Sequence, residues 1–310
     1  MTINLTDPVF TDEAKAREHL EEIRWPDGPV CPHCGSVDKV YRLNGTKHRP
    51  GLIHCNNCDG SFTVTTGSVM ESSHVPLNKW VLAFRLMASS KKGMSAHQLH
   101  RTIVVTYKTA WFMAHRIREA MRDAAPTTMG GEGRIIESDE TYWGPKDKDT
   151  GPMKGRRKGK PGHGGKSKIV SLVERDGRSR SFKVDDIKTA TLHGILRDNV
   201  STKSRLMTDE GMAHNFAFVS HEKVHHGSGE YARGDVTTNT VEGFFGVFKR
   251  GMRGTYQHCG EQHLQRYLDE FDFRYSNRAK LGVNDTERAA LAIKGAAGKR
   301  LTYRQPRSAE

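Results

Sequence analysis

The stretch RIIESDETYW, residues 134–143, alternates apolar and polar side chains well enough to predict a β-strand. It places Asp139 near the middle or the end of that strand. Two further strand-like runs follow at residues 168–175 and 180–184, and the turn sequence Asp176-Gly177 separates them. These three runs predict an antiparallel meander.

A predicted helix and a fourth strand extend this pattern. Residues 189–199 carry leucines and an isoleucine at helical spacing, and residues 204–208 lead as a strand into Asp209. Three strands, a helix and a strand ending in an aspartate is the order of an α/β, RNase H-like fold. In that fold the first and fourth strands are neighbours, so we expect Asp139 and Asp209, 70 residues apart, to meet.

A later amphipathic stretch, residues 238–250, predicts a helix that supplies a third carboxylate. Its buried side holds Val241, Phe244, Phe245 and Phe248. Its other face carries Glu242, Gly246, Lys249 and Arg253, spaced at i, i+4, i+7 and i+11. This face is therefore acidic at its start and basic further along.

Clustered carboxylates suit phosphoryl transfer by two divalent metal ions, which lie about 3.5–4 Å apart and require hard oxygen ligands. We predict that Asp139, Asp209 and Glu242 form such a catalytic set and hold Mg²⁺ or Mn²⁺. Lys249 is predicted to complete the site by holding a DNA backbone beside the metal ions.

Each carboxylate also has a plain structural explanation. With 36 acidic residues, three can always be chosen. Asp209 fits a turn, and Glu242 fits the third position of a capping box begun by Asn239. Strand alternation predicts that Glu140 and Glu210 point to the face opposite the aspartates. Strand order and helix face together favour the metal site.

Two cysteine pairs, CPHC at residues 31–34 and CNNC at residues 55–58, are separated by 20 residues. This is the spacing of a four-thiolate zinc site made from two knuckle turns, and it leaves no open position for water. Strand-like runs lie between and after the pairs. We predict a zinc ribbon with a structural Zn²⁺; the alternatives are a fortuitous pair spacing and a redox dithiol. The predicted ligands are Cys31, Cys34, Cys55 and Cys58.

A helical segment follows the ribbon. An apolar stripe begins near residue 77, and Ser95 and Thr106 are each placed to cap a further helix. Three helices with a tight turn between the last two match a helix-turn-helix, in which the start of the last helix enters the major groove of DNA. A plain three-helix bundle is the alternative. The predicted DNA contacts are Tyr107, Lys108, Thr109 and Trp111.

The chain is basic, with 49 Lys and Arg against 36 Asp and Glu and a formal charge of +13. This charge favours a polyanionic partner. Residues 144–168 gather nine Lys and Arg among glycines and prolines, and we expect this segment to contact DNA phosphates unless it is a solvated loop. The basic residues predicted to bind DNA are Arg156, Arg157, Lys158, Lys160, Lys249, Arg250 and Arg253.

Membrane association is not expected. No run approaches the roughly 20 apolar residues of a membrane span, and the first ten residues lack the order of a signal peptide. We predict a cytoplasmic protein with four parts. These are a zinc ribbon with an N-terminal extension (residues 1–75), a helix-turn-helix (76–128), an RNase H-like domain (129–284) and a basic, mobile tail (285–310).

Six stretches between about residues 25 and 280 resemble the zinc-ribbon DDE transposases of bacterial insertion sequences, a group related to the eukaryotic Merlin elements. The stretches are CPHC…CNNC, SDETYWG, KGRRKGKPGHGGKSK, MTDEG, HHGSGEYARGDVTTNTVEGFFGVFKRGMRGTYQHC and HLQRYLDEFDFRYSNR. The resemblance implies Asp139, Asp209 and Glu242 as the catalytic triad and Lys249 as a DNA contact near the scissile phosphate.

The same resemblance implies what the protein does. It implies binding of double-stranded DNA at terminal inverted repeats, nicking by water, and attack of the freed 3′-OH on target DNA, by a homo-oligomer that holds two DNA ends. Two other functions are compatible with the pattern: a catalytically silent, transposase-derived DNA-binding regulator, and an RNA-processing nuclease of the same fold. The intact acidic residues favour the transposase.

Overall fold

The computed structural model describes residues 4–144, 166–209, 218, 220–230 and 232–302. Its chain divides into two compact units. The amino-terminal unit consists of Met1–Asp123 and Gly282–Glu310, and the sheet unit consists of Ala124–Leu281. Within the described residues, no helix has both the length and the apolar character required to cross a bilayer.

The amino-terminal unit begins with two helices and a small sheet. The elements are α1 (Pro8–Thr11), α2 (Glu13–Arg24), β1 (Val40–Arg42), β2 (Ile53–Cys55) and β3 (Gly60–Phe62). The three strands pair antiparallel in the order β1-β2-β3. Ile53 and Phe62 are fully buried. The rings of Trp25 and Phe62 form a T-shaped contact with their centroids 5.8 Å apart. The strands predicted between and after the two cysteine pairs are therefore present.

Three further helices follow in the same unit: α3 (Leu77–Ser89), α4 (Ala96–Ile103) and α5 (Tyr107–Met121). The two capping residues predicted from the sequence act as caps. Ser95 accepts a hydrogen bond from the Gln98 amide at 3.1 Å, and Thr106 accepts one from the Thr109 amide at 3.2 Å. The turn between α4 and α5 places Val104 in the left-handed region, at φ 53°.

The prediction of a mobile tail from residue 285 is wrong for its first ten residues. These form α9 (Asp285–Lys294), which begins with a capping box between Asn284 and Glu287 and packs on α3. Its buried apolar side consists of Ala289, Ala292 and Ile293. Because two of these three side chains are alanines, the helical periodicity is weak in the sequence. The ribbon and the helices also lie in one compact unit, not in separate domains.

The sheet unit contains five described strands and three α-helices. They are β4 (Ile135–Trp143), β5 (Ser167–Glu174), β6 (Ser179–Val184), α6 (Thr189–Asn199), β7 (Arg205–Asp209), β8 (Ser220–Val224), α7 (Asn239–Gly251) and α8 (Leu264–Ser276). The strand order is β6-β5-β4-β7-β8. β4, β5 and β6 pair antiparallel, whereas β7 and β8 run parallel to β4. The predicted meander and the predicted neighbourhood of the first and fourth strands are both present.

Helices cover both faces of this sheet. On one face α7 and α8 pack against the sheet, and the four apolar residues predicted for the buried side of α7 are all buried there. On the other face Leu192 and Leu196 of α6 pack against Ile136 and Leu172. Successive residues of β4 point alternately to the face covered by α7 and to the face covered by α6.

Candidate active site

The pairing of β4 with β7 brings Asp139 and Asp209 together. Glu137 of β4 lies opposite Met207 of β7, and the two strands are parallel. The residues two positions further along each strand are Asp139 and Asp209, which are therefore neighbours as well. Carboxylate oxygens of Asp139, Glu140 and Asp209 all lie within 4.8 Å of one another. We call these three residues the carboxylate cluster.

The position of Glu140 corrects the expectation from strand alternation. Its carboxylate was expected on the opposite face, yet one of its oxygens lies within the cluster. β7 ends at Asp209, so the strand pairing described for this edge of β4 stops at the level of the cluster. A long glutamate side chain can reach around such an edge. Glu210, for which the same expectation was made, lies outside the described residues.

Burial and like charges both act on the ionisation of the cluster. Burial, followed by the charge of Asp209, raises the pKa of Asp139 to about 7. The pKa of Glu140 is also raised, first by burial and then by Asp209. Ionisation of Asp139 or of Glu140 therefore costs free energy in the folded protein. A bound divalent cation would offset this cost, and its hard-oxygen ligands are present here.

Glu242 and Lys249 of α7 lie near the cluster without belonging to it. The exposed Glu242 accepts a hydrogen bond from the Thr238 hydroxyl at 3.0 Å, and its charge contributes to the raised pKa of Asp139. Burial and Arg253 lower the pKa of Lys249, and Asp139 opposes that shift. The capping box that offered a structural explanation for Glu242 is not formed, because the N-cap residue is Thr238 and makes no side-chain cap bond.

The predicted DNA contacts on α5 differ in how available they are. Tyr107 and Lys108 are exposed at the start of the helix. The Tyr107 ring stacks on the His97 ring, and the two ring centroids are 4.3 Å apart. Thr109 donates its amide to the Thr106 cap, and Trp111 packs against His115. Of these four residues, only Tyr107 and Lys108 are exposed; Thr109 and Trp111 are half-buried.

The remaining basic residues fall into two sets. Arg250 and Arg253 are exposed, and Arg253 lies on a π-helical turn, Met252–Tyr256, that continues α7. The predicted DNA contacts Arg156, Arg157, Lys158 and Lys160 lie outside the described residues.

The four cysteines converge as their spacing predicted. The Cys31 and Cys58 sulfurs are 3.7 Å apart, and those of Cys34 and Cys55 are 3.6 Å apart. Four thiolates at about 2.3 Å around a tetrahedral Zn²⁺ would stand about 3.8 Å apart. Gly35, at φ 75°, allows the tight turn that closes the first pair. The cluster fits a structural zinc ion.

One residue of the site was missed in the sequence. Glu137 is fully buried, two residues before Asp139 on the same face of β4. Glu137 directly follows two isoleucines of the strand, and a glutamate buried there is unusual, because a buried charge requires partners. That pattern was visible in the sequence, but the identity of the partners was not.

Comparisons with known proteins agree with this geometry. Residues 130–276 match the model of the ISXO2-like transposase domain, and residues 11–61 match that of the transposase zinc-ribbon domain. A curated protein of Halobacterium salinarum, described as an uncharacterized protein in the transposable element ISH50, is 30% identical over 284 residues. The match covers 86% of this chain and 91% of that protein. The chain therefore belongs to the ISXO2-like family of zinc-ribbon DDE transposases from insertion sequences.

Proposed function

We propose that this protein binds the terminal inverted repeats of its insertion sequence, nicks the DNA there and joins the freed 3′-OH ends to target DNA. The observation that carries the proposal is the convergence of Asp139 and Asp209, whose carboxylate oxygens lie within 4.8 Å of each other. Family membership supplies the DNA substrate class.

The strand order supports an RNase H-like catalytic domain. An antiparallel meander, a helix, and a strand returning parallel to the first is the topology expected for that fold, and it is what β4 to β7 present. It leaves Asp139 in the middle of β4 and Asp209 at the end of the neighbouring strand β7. Function still rests on the site, since one fold can serve many reactions.

Asp139, Asp209 and Glu242 are the proposed ligands of Mg²⁺ or Mn²⁺, and Glu140 is placed to assist them. Bound metal would activate the attacking oxygen and stabilise the leaving one. Glu242 joins the set once its carboxylate leaves the Thr238 hydroxyl. Asp139 must release its proton before it binds a cation, because only the carboxylate form is a ligand. Lys249 neutralises phosphate charge beside the cluster.

DNA recognition is assigned to two regions. The α4–turn–α5 pair serves as a helix-turn-helix, in which the exposed Tyr107 and Lys108 face the duplex. Arg250 and Arg253 extend the basic face of α7, and residues 144–168 add phosphate contacts. The cysteine ribbon supplies a structural zinc. A homo-oligomer is proposed because two element ends must be held together.

The proposal is tested with end-labelled DNA that carries the repeats flanking the gene, incubated with the protein and either Mg²⁺ or EDTA. We expect Mg²⁺-dependent nicking that Asp139→Asn and Asp209→Asn reduce by more than about 100-fold. A loss of that size exceeds what is usual when a residue that only supports a metal ligand is changed. DNA binding should survive. Asp198→Asn is the matched control, since Asp198 is exposed on α6 and pairs only with Arg197 among its described ion pairs.

Two outcomes would contradict the proposal. Equal nicking by Asp139→Asn and the parent protein would remove the cluster from the reaction. Specific DNA binding without metal-dependent nicking by the parent would favour a silent DNA-binding regulator.

A further inference from the structure

Glu137 lies on β4, two residues before Asp139, and its side chain is fully buried. Both residues point to the face on which α7 packs, because strand residues alternate between faces. A carboxylate removed from water is costly unless its oxygens receive hydrogen bonds or charges. The partners of Glu137 therefore indicate what this buried charge is for.

Three of these partners belong to the first turn of α7. One Glu137 oxygen accepts from the amides of Thr240 at 2.7 Å and Val241 at 3.0 Å. The other accepts from the Thr240 hydroxyl at 2.8 Å. Amides of a first turn have no acceptor within their own helix. The N-cap Thr238 makes no side-chain cap hydrogen bond, and Glu137 caps α7 from the neighbouring strand.

The charge of Glu137 suits this position. The amino end of a helix carries a partial positive charge, which stabilises a nearby carboxylate. The same end is where α7 must be held against the sheet if its residues are to meet those of β4. One side chain thus satisfies the helix end and ties it to the strand that bears Asp139.

Arg175, directly after β5, reinforces the tie. Its Nε donates to Glu137 at 2.6 Å, and its two terminal nitrogens donate to the carbonyls of Asp235 at 2.7 Å and Thr237 at 3.0 Å. Those carbonyls lie on the chain that leads into α7. Glu137 and Arg175 together fix both the first turn of the helix and the segment before it.

The anchored turn is also the turn that carries Glu242, the residue after Val241. On the strand, Asp139 is two residues from Glu137, which is about 7 Å along the chain. A short, rigid path therefore runs from one proposed metal ligand to another. Catalytic groups need to be held within about 0.5 Å of their working geometry, and hydrogen bonds from the residues that support them provide that precision.

We propose that Glu137 is a positioning residue, which acts with Arg175 to set the axial position and rotation of α7 so that Glu242 reaches the metal beside Asp139 and Asp209. This inference rests on the proposed function, because that function assigns Glu242 as a ligand. The contacts of Glu137 that hold α7 are all with protein atoms, so they do not require bound metal.

The test compares variants for Mn²⁺ affinity, measured by electron paramagnetic resonance without DNA, and for amide hydrogen exchange across α7 in metal-free protein. Glu137→Gln places an NH₂ group against the donors of α7. We expect faster exchange at the start of α7 and about 10-fold weaker Mn²⁺ binding, the scale for outer-shell groups. Thr240→Val, which removes one hydroxyl bond, should act in the same direction but less.

Glu270→Gln is the matched control. Glu270 is also fully buried in the sheet unit, but it lies on α8 and accepts from Arg274 and the Tyr256 hydroxyl. Its loss should lower the melting temperature, yet Mn²⁺ affinity should stay at the parent value. In a Glu242→Gln background, Glu137→Gln should cause no further loss of Mn²⁺ affinity, because both changes remove the same ligand.

The proposal is overturned if Glu137→Gln binds Mn²⁺ like the parent, or if Glu270→Gln weakens binding as much. If Glu137→Gln does not fold, Thr240→Val decides: weaker Mn²⁺ binding supports the anchor and unchanged binding rejects it. A parent protein that binds Mn²⁺ but never nicks DNA would refute the proposed function. The Mn²⁺ and exchange measurements on the variants would still judge the anchor.

Discussion

The cysteine cluster and the carboxylate cluster both gather potential metal ligands, but they arise in different ways. The four sulfurs come from two short turns, residues 31–34 and 55–58, so each half is created by local sequence. The carboxylates come from β4 and β7 and meet only because those strands are neighbours. One site is encoded by spacing, and the other by the topology of a whole sheet.

The clusters also differ in what they cost without metal. Neutral thiols can lie 3.6–3.7 Å apart without repelling one another. The carboxylates are costly to ionise, because burial and then the charge of Asp209 raise the pKa values of Asp139 and Glu140. We infer that the ribbon needs its metal to fold. The sheet unit, in contrast, folds without metal and tolerates the unfavourable ionisation of its carboxylates. Three predictions test this contrast.

The largest effect is expected at the ribbon. Cys31→Ser removes a buried ligand, so the site can no longer close around Zn²⁺, whose binding supplies of order 10 kcal/mol in small zinc domains. We expect zinc content to fall from about one per chain to near zero and amides of β2 to lose their protection from hydrogen exchange. Elemental analysis and exchange mass spectrometry measure both. A metal-free protein with a protected β2 would refute the contrast.

A smaller effect of opposite sign is expected at the carboxylates. The pKa of Asp139 is raised from 3.8 to about 7, so the folded state binds this proton more tightly than the unfolded state. Its ionisation therefore removes stability as the pH rises from about 4 to about 7. Asp139→Asn avoids that loss. Without added Mg²⁺ at pH 8, the variant should be more stable than the parent by about 1–3 kcal/mol.

Thermal unfolding at several pH values measures this difference. The gap between Asp139→Asn and the parent should close as the pH falls toward 4, and added Mg²⁺ should stabilise only the parent. Asp198→Asn, at an exposed position, should follow the parent throughout. A variant that is less stable than the parent at pH 8 would mean that the aspartate supports the fold.

Much of both regions could be predicted from the sequence, because the signals were local or strongly periodic. Knuckle spacing gave the cysteines, and the phenylalanines of α7 gave its buried side. The meeting of Asp139 and Asp209 followed from element order. Roles in catalysis and DNA binding remain predictions, since geometry alone does not test them.

What the sequence did not predict has identifiable physical causes. α9 buries mainly alanines, which leave a weak periodic signal. β8 is a short edge strand of mostly polar residues, the composition expected where a strand meets solvent. Glu140 departs from alternation where the described pairing of β4 with β7 ends. The anchoring by Glu137 depends on a residue of α7 that lies 103 positions further along the chain, and no local pattern records it.

The smallest effect is expected from the fifth cysteine, and it sharpens the comparison most cleanly. Cys259 belongs to the sheet unit and is outside the four-cysteine group; its sulfur contacts the Gly260 carbonyl at 3.4 Å. Cys259→Ser makes the same chemical change as Cys31→Ser. We expect zinc to remain at about one per chain and the stability to change by less than about 0.5 kcal/mol. Elemental analysis and thermal unfolding of the two variants side by side check this. If Cys259→Ser lost zinc, thiol number would govern metal binding; if it does not, the knuckle geometry does.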